Sequence, residues 1–306
     1  MKTFGGIDEV GARRAIGAAA LAVLVGGCAQ HGILDPVGPV ASAEKQILIN
    51  STAIMLAIII PTMLATAAFA FWFRRGNTRA TYMPDWEYSG AIELVVWSIP
   101  ALTIMLLGGI AWIGSHDLDP AKPLSSTRPP LHVQVVSLDW KWLFIYPDQG
   151  IATVNQLVVP AGTQVSFDLT SATVWNSFFV PQMGSQIYTM PRMTTRLNLE
   201  ADKPGTYPGL SAHFSGDGFP GMQFKVQVLP ADQFGMWAQG AHGQGKALDT
   251  NGYAALSKPS SYVQPITYGA VAHGLYDAIV ADKVPQLHLP QAAPPVRQAS
   301  AVPAGG

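Results

Sequence analysis

Residues 209–222 read GLSAHFSGDGFPGM, with Ser211 and Ser215 four apart and Met222 closing the stretch. Two cysteines at that spacing, followed by a histidine and a methionine, would hold a pair of copper ions. Thiolates bridge such a pair and delocalise its charge, whereas a serine hydroxyl has a far higher pKa and stays protonated at neutral pH. One thioether is no site. His213, a lone histidine in a strand-like stretch, reads as a surface or core residue in preference to a ligand. The seven histidines of the chain are scattered, with no pair at i, i+3 or i+4. Cys28 is the single cysteine, which excludes an internal disulfide framework and a thiolate-rich metal centre. One further residue could do chemistry: Glu93, in the apolar stretch GAIELVVWSIP. A carboxyl group there costs a few kcal/mol unless it is paired or faces water. It is either a proton- or ion-handling group or an interfacial carboxylate that snorkels to the headgroups.

These residues must be positioned by a chain of 306 residues in which only 12% are charged, about half the usual share for a soluble protein. The net charge is -1 and no basic stretch is long enough to follow a phosphate backbone, so nucleic-acid binding is excluded as a function class. Lys2, Arg13 and Arg14 precede the apolar run AIGAAALAVLVGG, which ends at Cys28. A positive region and a short apolar run fit a secretory signal, too short to cross a bilayer comfortably. Gly26 and Gly27 before Cys28 resemble the bacterial lipobox, in which the cysteine is lipidated and becomes the new N-terminus. The expectation is a signal over 1–27 and a lipid-anchored outer segment over 28–46.

From Ile47 to Phe73 no residue is charged, and a second uncharged run covers Leu94 to Ser115. At about 1.5 Å per residue the first exceeds the roughly 30 Å hydrocarbon core. Two transmembrane helices are expected, over 47–73 and 91–115, with Pro61 and Pro100 inside them. Trp72, Trp86, Trp97 and Trp112 lie near their ends, as an aromatic belt would. Arg74, Arg75 and Arg79 place the 74–90 loop in the cytoplasm and both termini outside. After Pro129-Pro130 the pattern turns to period-two alternation with β-branched residues, in LHVQVVSLDWKWLFIYP, NQLVVPAGTQVSFDLTS, SFFVPQM, TTRLNLEAD and GMQFKVQVLP. These short strands fit an all-β sandwich over 116–230. A C-terminal extension follows over 231–306; DQFGMWAQG reads as a short helix, and the Ala-, Pro- and Gln-rich stretch from about 285 is expected to be disordered.

The outer domain resembles subunit II of the haem–copper respiratory oxidases, whose domain has a cupredoxin-like fold. The resemblance rests on VVWSIPALTIMLL, SLDWKWLFIYP, WNSFFVPQMGSQIYTMP and the loop quoted at the outset, and it runs from the first span to Pro230. In the cytochrome c oxidase branch the two loops carry a binuclear copper centre, CuA. Laid on that pattern, this sequence has Asn176 for the first histidine, Ser211 and Ser215 for the cysteines and Phe219 for the second histidine. His213 stands for the glutamate that gives its carbonyl, and Met222 alone survives. Spacing kept with the ligands lost is similar to the quinol oxidase branch, the cytochrome bo type in particular.

That resemblance implies a non-catalytic subunit of a proton-pumping quinol:O2 oxidoreductase in the bacterial inner membrane, holding no metal or cofactor of its own. It implies haems and CuB in subunit I, with subunits I, III and IV, a membrane quinol and the lipid bilayer as partners, and no docking of cytochrome c. Glu93 matches a glutamate at the cytoplasmic mouth of a proton channel. Trp140 and Trp142 match an aromatic pair on the electron path of the copper branch and, without copper, would pack between the sandwich and subunit I. Two other readings are a cytochrome c oxidase subunit with a degenerate centre and a stand-alone membrane-anchored periplasmic cupredoxin-like lipoprotein. Against the second stands the hairpin, which a free lipoprotein does not need.

Overall fold

The computed structural model describes residues 32–126 and 128–284. Cys28, the expected signal and the tail from 285 lie outside the described residues. The first helix, α1, runs over Pro39–Trp72 and the second, α2, over Gly90–Asp117. Both contain their prolines without interruption, and neither buries any residue of its apolar window. Helices of this composition need lipid or another protein around them. α1 begins eight residues before the uncharged run, because Pro39 presets the first helical turn and nothing in Ser42-Ala43-Glu44-Lys45 breaks it. Those extra turns belong to the outer domain and not to the membrane. Val37 and Ala41 are buried, and Val37 and Ala41 donate their backbone N–H groups to Gln182 O at 2.8 Å and Met183 O at 3.3 Å. Gly38 passes so close to the Glu200 carbonyl that a Cβ would lie 1.8 Å from its oxygen, so only glycine fits there.

The outer domain is a sandwich of two sheets. The six-stranded sheet contains β1 (Leu131–Leu138), β2 (Lys141–Tyr146), β3 (Ile151–Val154), β5 (Val165–Ser171), β8 (Thr195–Leu199) and β12 (Ile266–Tyr268), in the order β12-β3-β2-β1-β5-β8. The five-stranded sheet contains β4 (Gln156–Pro160), β6 (Asn176–Phe179), β7 (Ile187–Thr189), β9 (Gly205–Ser211) and β10 (Gln223–Leu229), in the order β4-β10-β9-β6-β7. β1 pairs in parallel with β5 and β10 with β4; the other pairs within these sheets are antiparallel. Trp142, Phe144, Tyr146, Phe167, Phe178 and Phe224 fill the space between the layers.

β2 is buried at all six positions. Its even residues face the other sheet, while Leu143 and Ile145 face a second cluster formed with Leu248, Tyr253, Leu275 and Tyr276. That second cluster is built by the extension after Pro230, in which the sequence had marked one short helix and disorder only from about 285. Residues 231–284 fold into α3 (Ala231–Ala241), β11 (Ala247–Leu248), α4 (Thr250–Leu256), β12, β13 (Ala270–Val271) and α5 (Leu275–Val280). β11, α4, β13 and α5 cover the outer face of the six-stranded sheet, β12 extends its edge, and α3 packs on the inter-sheet core beside β4 through Phe234 and Ala238. The sequence held the signal: KWLFIY is apolar on both faces of a strand, which requires a cover on each.

Asn155 joins the parts. It lies in the left-handed region (φ 54), between β3 and β4, where Asn is one of the few tolerated side chains. Its Oδ1 accepts from Trp142 N at 2.8 Å and its Nδ2 donates to Val263 O at 2.8 Å. Tyr146 ties the layers in a similar way, donating to Val158 O at 3.0 Å and accepting from Val158 N at 2.8 Å. Its burial pushes the phenol well above its ordinary pKa. Asn155→Ala strains the backbone and leaves a buried N–H unpaired, so it is expected to lower stability by about 2–4 kcal/mol. Asn155→Gly should recover the backbone part alone. Thermal unfolding of the full chain in detergent checks this, and equal midpoints for Ala, Gly and Asn would exclude the lock.

Candidate functional site

The quoted loop leaves β9 at Ser211, makes a 3₁₀ turn at Phe219–Gly221 and returns through Met222 into β10. Its base is closed by Ser211 N donating to Met222 O at 3.1 Å and by Ala212 N donating to Ser177 O at 3.0 Å. The second bond brings in β6, so Asn176 reaches the loop across the sheet. Of the six positions singled out in the sequence, four are drawn inward. Asn176, Ser211 and Met222 are buried, and Ser215 is half-buried beside Met222. His213 is exposed and Phe219 is half-buried; both lean outward, against Tyr188 and Phe214 with ring separations of 5.7 and 5.6 Å.

The inward groups bond one another. Ser211 Oγ donates to Asn176 Oδ1 at 3.2 Å, with His213 O at 3.3 Å as its second acceptor. Asn176 Nδ2 donates to Val174 O at 3.3 Å and to Ser137 Oγ at 3.4 Å, and Ser137 shares a 2.9 Å bond with Thr189. Ser215 Oγ donates to Met222 Sδ at 3.9 Å. Two hydroxyls, an amide and a thioether are a donor set for hydrogen bonding, with no soft anion to bridge two copper ions. The residues at the CuA positions do not fit that centre. Among the described residues no group of three or more His, Cys, Asp and Glu is arranged to hold a metal.

What holds the loop is Trp140, in the two-residue turn between β1 and β2. Its backbone adopts φ 79, and its indole N–H donates to Ser215 O at 3.0 Å. The ring lies flat enough on the loop that a Cβ at Gly218 would come within 2.3 Å of it. Trp142, two residues on, corrects the expectation of an interface pair. It is fully buried, edge-on to Phe178 at 5.5 Å and Phe224 at 5.7 Å, and cannot face a partner subunit. The period of the strand decides this: residue 142 is the first inward position of β2.

Lys141 lies between the two tryptophans and was missed by sequence reasoning. Its ammonium donates to Asp139 O at 2.9 Å, Lys258 O at 2.8 Å and Ser260 Oγ at 2.8 Å. Burial lowers its pKa, against the opposing pull of Asp139. The bonds fasten the segment 258–263 over the turn, and the Tyr262 ring lies against Gly221 at the end of the loop. A lysine inside the apolar run KWLFIY was the available signal, since a cation there needs partners.

Glu93 lies elsewhere, in the first turn of α2, where a carboxylate suits the helix N-terminus. Its Oε2 accepts from Trp97 Nε1 at 3.3 Å. Glu93 lies 24 residues before the end of α2 at Asp117, about 36 Å of helix from the outer domain, and takes no part in the loop.

Gly218→Ala is expected to lift Trp140 off the loop and to destabilise the domain by about 1–3 kcal/mol through overpacking. Quenching and shift of tryptophan fluorescence report the lift directly, and an unchanged spectrum and midpoint would show that Trp140 does not hold the loop. Copper added to the full chain is expected to give no near-infrared thiolate–copper band; such a band would contradict the donor set.

Comparison with known proteins follows the same outline. A family profile described as "Cytochrome C oxidase subunit II, periplasmic domain" matches residues 148–229, and one described as "COX Aromatic Rich Motif" matches residues 242–284. The chain is 45% identical over 269 residues to "Ubiquinol oxidase subunit 2" of Acetobacter aceti, covering 87% of each chain. It is 45% identical over 259 residues to "Cytochrome bo(3) ubiquinol oxidase subunit 2" of Pseudomonas aeruginosa, covering 85% of this chain and 78% of that one. It is 32% identical over 241 residues to "Quinol oxidase subunit 2" of Bacillus cereus, covering 78% and 83%. Among solved structures it matches the periplasmic domain of subunit II of cytochrome oxidase from Bradyrhizobium japonicum at 22% identity and a TM-score of 0.36, over 37% of this chain and 94% of that one. The span of these relatives, the two apolar helices and the cupredoxin-like sandwich together have one reading: the chain belongs to the ubiquinol oxidase subunit 2 family.

Proposed function

We propose that the chain is the non-catalytic subunit 2 of a proton-pumping quinol:O2 oxidoreductase of an aerobic respiratory chain. The observation that carries the reading is the loop itself, which keeps the spacing of a copper loop and closes it with hydrogen bonds between Asn176, Ser211, Ser215 and Met222. A domain with no soft anionic ligand at these positions has no redox group for a soluble cytochrome to reduce. Electrons therefore enter elsewhere in the complex, from a membrane quinol, and the haems and CuB belong to subunit I. Subunits III and IV complete the assembly. Two helices long and apolar enough to span, together with bacterial oxidase relatives, fit an inner-membrane protein with a periplasmic domain. Lipidation at Cys28 adds a second anchor on the periplasmic side, in keeping with the topology that Arg74, Arg75 and Arg79 dictate.

Glu93 serves as a proton-entry carboxylate. A group that relays protons must reach water, and the first turn of α2 lies beside the arginine-bearing loop. The Trp97 indole steadies one carboxylate oxygen and leaves the other free to exchange.

Oxygen uptake by the complex purified through a tag on this chain tests the whole reading. Brisk uptake with reduced ubiquinone and none with reduced cytochrome c is expected; uptake with cytochrome c would refute it. Glu93→Ala should slow quinol-driven uptake roughly 10-fold or more with assembly intact, and Glu93→Asp should restore part of it. If Glu93→Ala turns over at the wild-type rate across the pH range, the carboxylate is merely interfacial.

A further inference from the structure

Residues 258–265 pass from α4 to β12 as a strap, and beside it lies a groove of about 500 Å³. Its other wall is formed by the facing stretches of β9 and β10. Tyr207, Pro208, Pro220, Tyr262 and Pro265 line it, together with Lys225. Among the described residues no carboxylate, histidine or cysteine lines it, so it offers a metal no ligand set. The two tyrosines are fixed in place. Tyr207 donates its hydroxyl to Lys203 O at 2.9 Å. Tyr262 is 70% exposed at the rim, on a backbone in the left-handed region (φ 55), where a bulky side chain is rare. Bonds on both sides of it impose that conformation: Ser260 N donates to Asp139 O at 3.0 Å, and Asn155 Nδ2 to Val263 O at 2.8 Å. Strain of this kind clusters where a ligand is clamped. Prolines and fixed aromatic rings are the lining that accepts a polyproline strand. Such a strand has no internal hydrogen bonds, and the amides of Gln223 and Gln264 in the groove are donors for its carbonyls.

The chain carries a segment of that kind. Leu289–Val296 reads LPQAAPPV, with Pro290, Pro294 and Pro295 and no charge. The described chain leaves the domain on the far side of the six-stranded sheet. Arg192, between β7 and β8, donates to Asp282 Oδ2 at 3.1 Å, and Val284 packs on the second cluster. The groove opens at the opposite edge, where Pro265 leads into β12. Five strand spacings of about 4.8 Å put the two edges about 24 Å apart. A polyproline strand rises about 3.1 Å per residue, so from Val284 it reaches Pro290 at about 19 Å and Pro295 at about 34 Å. The uncharged stretch therefore falls at the groove.

We propose that Leu289–Val296 of the same chain docks in the groove between Tyr262 and Tyr207. Docking ties the C-terminal lobe to the five-stranded sheet across the end of the loop, since the Tyr262 ring lies against Gly221. The proposal goes beyond the reading of the chain as an oxidase subunit and does not depend on it. Tethering favours this occupant over the same segment of a second copy. It gives an effective concentration on the order of 1 mM, so a dissociation constant of about 0.1 mM keeps the groove about 90% filled. A second copy would have to reach that concentration in solution to compete.

Photocross-linking of the full-length, tagged chain in native membranes decides it. Tyr262→p-benzoyl-phenylalanine is expected to link to a peptide within 285–306 of the same molecule, with no change in apparent mass. Met236→p-benzoyl-phenylalanine, at a position 64% exposed on α3, should give no such link. A Pro290→Ala, Pro294→Ala, Pro295→Ala triple variant should cut the yield from position 262 about 5-fold. Deleting residues 285–306 should speed amide exchange at Tyr207, Gly209, Tyr262 and Gln264 about 10-fold, with β1 and β5 unchanged. Links from position 262 to a second copy or to another protein, an equal yield from position 236, or exchange that the deletion does not alter would overturn the proposal. The oxidase reading stands in each case.

Discussion

The turn between β1 and β2 is fastened from three directions by three consecutive side chains. Trp140 lies on the loop of Ser215–Gly218 and bonds its backbone, Lys141 bonds the C-terminal segment at Lys258 and Ser260, and Trp142 enters the core against Phe178 and Phe224. Alternation along a strand allows one residue of a pair to face in and the next to face out, and the left-handed turn at Trp140 releases the third toward the loop. The loop, the core and the C-terminal lobe thus share one anchor. A metal centre can supply a loop with such rigidity through its coordination bonds. Here an indole, an ammonium and a set of hydroxyl and amide bonds do so.

The same economy governs the link between the domain and the membrane. α1 does not stop at the edge of its apolar run but continues outward until Ala41 and Val37 are buried against the domain, and Gly38 passes beneath the Glu200 carbonyl. The contact is made by backbone groups and small side chains at close approach, so it fixes the orientation of the domain relative to α1. That orientation sets the β6–β7 hairpin beside the outer end of α1, where Ser185 N donates to Glu44. That geometry joins a rigid outer domain to a helix hairpin whose far end carries Glu93.

Much of this was legible in the sequence. The two spans followed from uninterrupted apolar length, their orientation from Arg74, Arg75 and Arg79, and the sandwich from period-two strands between turn residues. The donor set of the loop was equally plain from Asn176, Ser211 and Ser215, and the family resemblance implied which copper ligands they stand for. All of these are properties of residue type and interval, which a linear chain states directly. The partners of those residues were not legible. Trp142 and Trp140 are two apart and look equivalent in SLDWKWLF, yet one is fully buried and the other covers a loop seventy-five positions away. Lys141, Asn155 and Tyr262 have no motif at all; their roles exist only where the lobe of 231–284 closes over the sheet. Residue identity and spacing fixed which bonds each group could make, and so what the loop could no longer do. Which bonds were made depended on contacts between segments far apart in sequence, and those are set by packing in three dimensions.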